Sequence, residues 1–145
     1  MKPHPMTDSR NWKDSLALFA AALWWGSLTA VGFMVVPQLF AHLDTPATAG
    51  RMAAKLFSTQ TWVSLSCALV LLMAARARHA DDNEGLGKAI FWPVLGMMFA
   101  LLSEFAIAPR ILARENLALW HSVGSGLYLA QWLVAGVALF KSIRK

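Results

Sequence analysis

The chain has 145 residues, is 57% hydrophobic and only 14% charged, and has a mean hydropathy of +0.49. That is too apolar for an ordinary soluble domain of this length, so the membrane is the expected solvent. A net charge of +5 would point to nucleic acid in a soluble protein, but here the bases flank apolar runs and form no single patch, so no nucleic-acid partner is expected.

Dividing the chain at its charges leaves four apolar runs: Ser15 to Ala41, Leu56 to Ala75, Ala89 to Pro109 and Asn116 to Phe140. Each can cross a bilayer, which takes roughly 20 apolar residues as helix. The expected fold is all-α, an integral membrane four-helix bundle, with helices at about 15–36, 46–76, 88–108 and 117–140 inside one domain of residues 14–141. Short tails, 1–13 and 142–145, flank it. The run after Lys2, Arg10 and Lys13 is too long for a cleaved signal peptide, so the first helix is expected to stay.

Of thirteen Lys and Arg residues, nine lie in the N-terminal tail, the middle loop and the C-terminal tail: Lys2, Arg10, Lys13, Arg76, Arg78, Lys88, Lys141, Arg144 and Lys145. The other four, Arg51, Lys55, Arg110 and Arg114, lie in the first and third connections. The positive-inside rule therefore places both termini in the cytoplasm, with the protein in the bacterial inner membrane and the lipid bilayer as its first partner.

The first 14 residues, with two prolines and mixed charge, predict a poorly ordered tail, with Asp14 or Ser15 capping the first helix. His4 has no evident partner there. Pro37 predicts a break or kink near the outer end of that helix. Ala22, Gly26 and Ala30 recur every fourth residue, as do Ser122, Gly126 and Ala130 on the fourth helix. Such stripes let helices approach closely in lipid, and the two are predicted to touch each other. Trp24 and Trp25 are too central for an interfacial belt and pack in the bundle or face acyl chains.

Asp44-Thr45-Pro46 is a helix start, because a capping side chain followed by proline deals with the orphan amides of the first turn. The second helix is longer than the hydrocarbon core, so Arg51 and Lys55 on its first turns reach the headgroup region. Cys67 lies within it; as the sole cysteine it forms no internal disulfide and reads as a packed, inert thiol. The segment RARHADDNEGLGK balances three acids against three bases and predicts a solvated, flexible loop, in which His79 is exposed. The third helix starts near Lys88 with Pro93 in its first turns and ends at Pro109. A short repeat links Val36-Pro37-Gln38-Leu39-Phe40-Ala41 with Ala108-Pro109-Arg110-Ile111-Leu112-Ala113, as expected of two parallel hairpins.

The stretch Ser103 to Ser122 carries the most chemistry. Glu104 is an ionisable side chain inside a span, which by default marks a functional site, and it must be paired, solvated or protonated. His121 near the start of helix four, or Arg110 and Arg114 on the connection, are its expected partners. Such a pairing would either fasten helices three and four or form a ligand, proton or metal site; Glu115 reads as an exposed helix-start charge. His121, Gly124, Tyr128 and Gln131, bordered by Ser125, share one face of helix four, which either lines a watery path or bonds neighbouring helices.

A sharper alternative is metal or haem ligation by His42 and His121, with Met34, Met52 and Glu104 as helpers and haem or copper as the cofactor. Against it, there is no His pair four apart and no Cys cluster, so the first expectation is no cofactor. Phosphate loops, nucleophile elbows and metalloprotease motifs are absent from the sequence, and an enzyme is the less favoured reading.

Leu23-Trp24-Trp25-Gly26, Val36-Pro37-Gln38-Leu39-Phe40, Ala49-Gly50-Arg51 with Phe57, and Leu119-Trp120-His121-Ser122, in this order, resemble the transmembrane protein 205-like family. The first helix also looks like those of copper-resistance membrane proteins and four-helix haem-biosynthetic oxidases. What the family resemblance implies is a small four-helix integral membrane protein, with no established reaction to carry over. His121 and Ser122 match the family's His-x-x-Ser region in part, with Ser125 as the second serine. The sequence thus predicts an outer-facing polar cluster that binds or passes a small molecule or ion. Its alternatives are a haem- or metal-handling protein and a helper subunit, which would imply a homo-oligomer or a membrane-complex partner.

Overall fold

The four runs are apolar on most sides, and in the computed structural model, which describes residues 8–144, all four are helical. Four helices are long and apolar enough to cross a membrane: Trp12–His42, Pro46–Arg78, Asn83–Leu112 and Leu117–Ile143, here the first to fourth spans. At 1.5 Å per residue they measure about 40 to 50 Å, more than the roughly 30 Å hydrocarbon core. Their ends therefore reach the headgroup level. No strand occurs among the described residues, and the fold is the all-α bundle.

The helices run farther than their apolar cores. The first begins at Asp8, so the part of the predicted tail from Asp8 onward is helix. Residues 1–7 and Lys145, with Lys2 and His4 among them, lie outside the described residues. Asp14 is no cap; its carboxylate accepts from the Arg78 guanidinium at the end of the second span. The segment expected to be a flexible loop is mostly helix as well. Only residues 79–82 separate Arg78 from Asn83, because Asp82 caps the third span by accepting from the Gly85 amide at 2.9 Å. Glu84 in that first turn bonds Lys88 at 2.6 Å. Pro93 consequently lies inside the third span, and it is buried. Thr45 caps the second span, with Pro46 as its first residue.

Neither Pro37 nor Pro109 ends a helix. Each is preceded by one π-helical turn, Val31–Val35 and Ser103–Ile107, after which α-helix continues through Val36–His42 and Ala108–Leu112. A proline lacks the amide that would bond four residues back, and its ring crowds the carbonyl there. Widening the preceding turn, so that Val36 donates to Val31 and Ala108 to Ser103, accommodates both defects without breaking the rod.

Each span packs on the next in chain order and the fourth closes on the first, giving a ring of four. The interior is built mainly from alanines, with Leu28, Leu71 and Trp24 as the large members. Outside, Phe19, Trp62, Met73 and Phe105 are exposed, which suits a surface facing acyl chains. The first and fourth spans do pack, but not through the stripes expected to touch. Ala22, Gly26, Ser122 and Gly126 are exposed, Ala30 and Ala130 are half-buried, and a Cβ added at Gly26 or Gly126 would meet nothing within 4 Å. The working glycines are sockets for aromatic rings. A Cβ at Gly32 would lie 2.4 Å from Tyr128, one at Gly136 3.0 Å from Trp25, and one at Gly96 2.3 Å from Trp24. Trp25 also stacks on Trp132 at 5.7 Å, and the Trp132 indole donates to Thr29 at 2.9 Å.

Candidate polar site

Glu104 is the second residue of the π turn in the third span. Its Oε1 accepts a 2.6 Å hydrogen bond from the Ser58 hydroxyl on the second span, and both side chains are half-buried. The expected partners do not meet it. His121 is exposed, Arg114 is exposed with a left-handed backbone (φ 56°), and Arg110 donates to the Ala106 carbonyl while lying 4.6 Å over the Trp120 ring. Glu104 therefore ties the third span to the second, not to the fourth. Beside it, the Ser103 hydroxyl is buried without a hydrogen-bond partner; Trp24 Nε1 shares that condition. Buried polar atoms are nearly always satisfied, so these two stand out as exceptions among the described residues.

Deeper in the bundle lies a second polar group that the sequence reading passed over. Gln60, buried on the second span, donates to Ser27 at 2.9 Å and to Ser64 at 3.4 Å, and Ser27 in turn donates to the Trp24 carbonyl at 3.0 Å. Gln131 on the fourth span donates to the same Ser64 oxygen at 3.0 Å. One seam thus joins three spans. Tyr128, above it, donates to the Leu28 carbonyl at 2.7 Å and packs edge-on to Phe57 at 5.2 Å. The signal was present: Ser58, Thr61 and Ser64 recur every third residue, and Gln60 and Ser64 are four apart inside an apolar run. Tyr128 and Gln131 are bonded between helices, which was one of the two uses expected for their face; Gly124 packs on Ile107.

His42 is exposed, its Nδ1 lying 3.1 Å from the Gln38 carbonyl of its own helix. Among the described residues no three His, Cys, Asp or Glu side chains converge as a metal's ligands would. Cys67 is buried with its thiol free. At the same end of the molecule as Glu104, Arg51 donates to Thr48, in the first turn of the second span.

No curated protein and no solved structure matches the chain. Residues 19–118 match a family described as Domain of unknown function (DUF4149), which takes in most of the first span, all of the second and third, and with them Ser58 and Glu104. The match is to that uncharacterised domain and lends no support to the transmembrane protein 205-like family specifically. Since it covers more than half of the sequence, the chain belongs to the DUF4149 family.

Proposed function

We propose that this chain is a non-enzymatic, multi-pass protein of the bacterial inner membrane that binds a small cation, a proton included, at Glu104. The observation that carries the reading is a carboxylate inside a span, held by one serine hydroxyl; the preceding residue, Ser103, adds a buried hydroxyl with no partner among the described residues. An ionisable group at such a position is costly unless it is used. The distribution of bases along the sequence supports an orientation with both termini in the cytoplasm and Glu104 toward the outer side, since nine of thirteen lie in the two tails and the middle connection.

Binding fits better than passage. Beyond the Gln60, Ser64 and Gln131 seam, the interior toward the base-rich end is Trp24, Cys67, Ala68, Leu71 and Ala21, all buried, with the indole N–H of Trp24 and the thiol of Cys67 as its only polar groups and no oxygen acceptor among these side chains. A hydrated ion finds no partners there. The test uses the purified protein in nanodiscs, with infrared difference spectra recorded on lowering the pH and on replacing N-methylglucamine by sodium. A carboxyl band that responds to either in the wild type and is absent in Glu104→Gln supports the reading. Glutamine keeps an acceptor for Ser58, so the thermal midpoint should stay within a few degrees. Identical difference spectra for the two proteins would overturn it.

A further inference from the structure

The opposite end of the bundle holds a cleft that the Glu104 site does not use. It lies where the ends of the second and fourth spans meet the starts of the first and third, and encloses about 650 Å³. That is within the range of sites for drug-sized ligands. Its walls are apolar, with Leu71, Ala75, Trp92 and Ala138 among them, and its rim carries Arg78, Lys88, Lys141 and Arg144.

The four bases differ in what surrounds them. Arg78 is ion-paired with Asp14 and Lys88 with Glu84, while His79 lies 3.5 Å from Asp82. Lys141 and Arg144 have no carboxylate partner among the described residues. Lys141 sits 5.7 Å over the Trp92 ring and Arg144 4.1 Å over the Phe140 ring, contacts that orient a cation without neutralising it. Two positive charges without a carboxylate partner among the described residues thus overhang an apolar cleft at the ends of membrane-length helices.

The geometry points to this cleft as a binding site for an anionic phospholipid, its phosphate held by Lys141 and Arg144 and the start of its acyl chains on the apolar walls. A basic pocket between spans at headgroup level is the setting in which acidic lipids are recognised. Charge decides the class of lipid. A zwitterionic headgroup would bring a cation to a cleft whose described lining includes no carboxylate. Free phosphate would leave the apolar walls unused.

Native mass spectrometry of the detergent-solubilised full chain, titrated with phosphatidylglycerol or phosphatidylcholine, tests the assignment. The wild type should bind phosphatidylglycerol at least about tenfold more tightly than phosphatidylcholine. Removing both free charges in Lys141→Ala/Arg144→Ala should weaken phosphatidylglycerol about 25-fold, at about fivefold per base, and abolish the preference. Arg51→Ala/Lys55→Ala, at the far end, should change neither. Millimolar inorganic phosphate should fail to displace the lipid. Equal affinity for the two lipids in the wild type, an unaltered double variant, or equal losses in both double variants would overturn the proposal. So would displacement by inorganic phosphate, which would make the cleft a phosphate site only.

Discussion

The first and third spans contain the same backbone device with different contents. Val31 and Ser103 each open a π turn, Phe33 and Phe105 each stand in its middle, and Pro37 and Pro109 each follow. At matching places one has Gly32, a socket for Tyr128 of the fourth span, and the other has Glu104, bonded to Ser58 of the second. Trp24 and Gly96 occupy matching places as well, and there the ring of one fills the space beside the other. The halves are alike where the backbone demands it and unlike where side chains meet. A proline accounts for the wide turn in both, but the first span makes that turn with Val31, Gly32, Phe33, Met34 and Val35 and no charge. Backbone geometry therefore does not call for Glu104, which strengthens the case that its carboxylate serves a ligand.

The largest effect should come from removing the asymmetry at the centre. Gly96→Leu drives a side chain into fully buried Trp24 and should cost about 3 kcal/mol, the upper end of ordinary overpacking, read as a fall in thermal midpoint in detergent. Gly26→Leu, where nothing lies within 4 Å, should stay within about 0.5 kcal/mol. Comparable losses would show that the sockets are not what joins the halves.

A smaller and more selective effect is expected from the prolines. Pro37→Ala and Pro109→Ala each restore an amide and should let the preceding turn relax toward α-helix, with stability altered by less than about 1 kcal/mol. Only Pro109→Ala should also blunt the infrared response assigned to Glu104, by turning that carboxyl away from Ser58. If both variants blunt it, or neither does, the two π turns do not differ in what they do for Glu104.

The smallest effect concerns the short link between the halves. The Gly85 amide, and then His79, hold the Asp82 carboxyl below the usual aspartate range. A carboxyl with a depressed folded pKa stabilises above its unfolded pKa, and this contribution fades as pH falls through the folded value. Acidification from pH 7 through the aspartate range should therefore lower the midpoint of the wild type slightly more than that of Asp82→Ala. An equal decline in both would remove the cap from the account.

The four spans were legible because apolar length alone announces a membrane helix, and the caps at Thr45 and Asp82 carry local chemistry. Their ends were less so. Polar residues at Asp8 to Asp14 and Arg76 to Lys88 read as tail and loop, yet they continue helices already nucleated by the apolar core, where extension costs little. Glu104 stood out as a charge in an apolar run, but its partner did not, since Ser58 is 46 residues away in sequence, on another span. Small-residue spacing misled for a related reason. A glycine every fourth residue can face lipid as easily as a neighbour, and what separates Gly26 from Gly32 is an aromatic ring on another helix.

The connections between spans carry one more consequence. Residues 43–45, 79–82 and 113–116 are all that lies between the four helices, and the last of these includes Arg114 and Asn116 in left-handed conformations that turn the chain sharply. These links offer a soluble protein little to grip. The larger surface is the outside of the ring, covered by Phe, Met and Leu side chains. Photocrosslinkers placed at exposed positions such as Trp62 or Phe105, in intact membranes, would sample it directly for any partner that reads the state of Glu104.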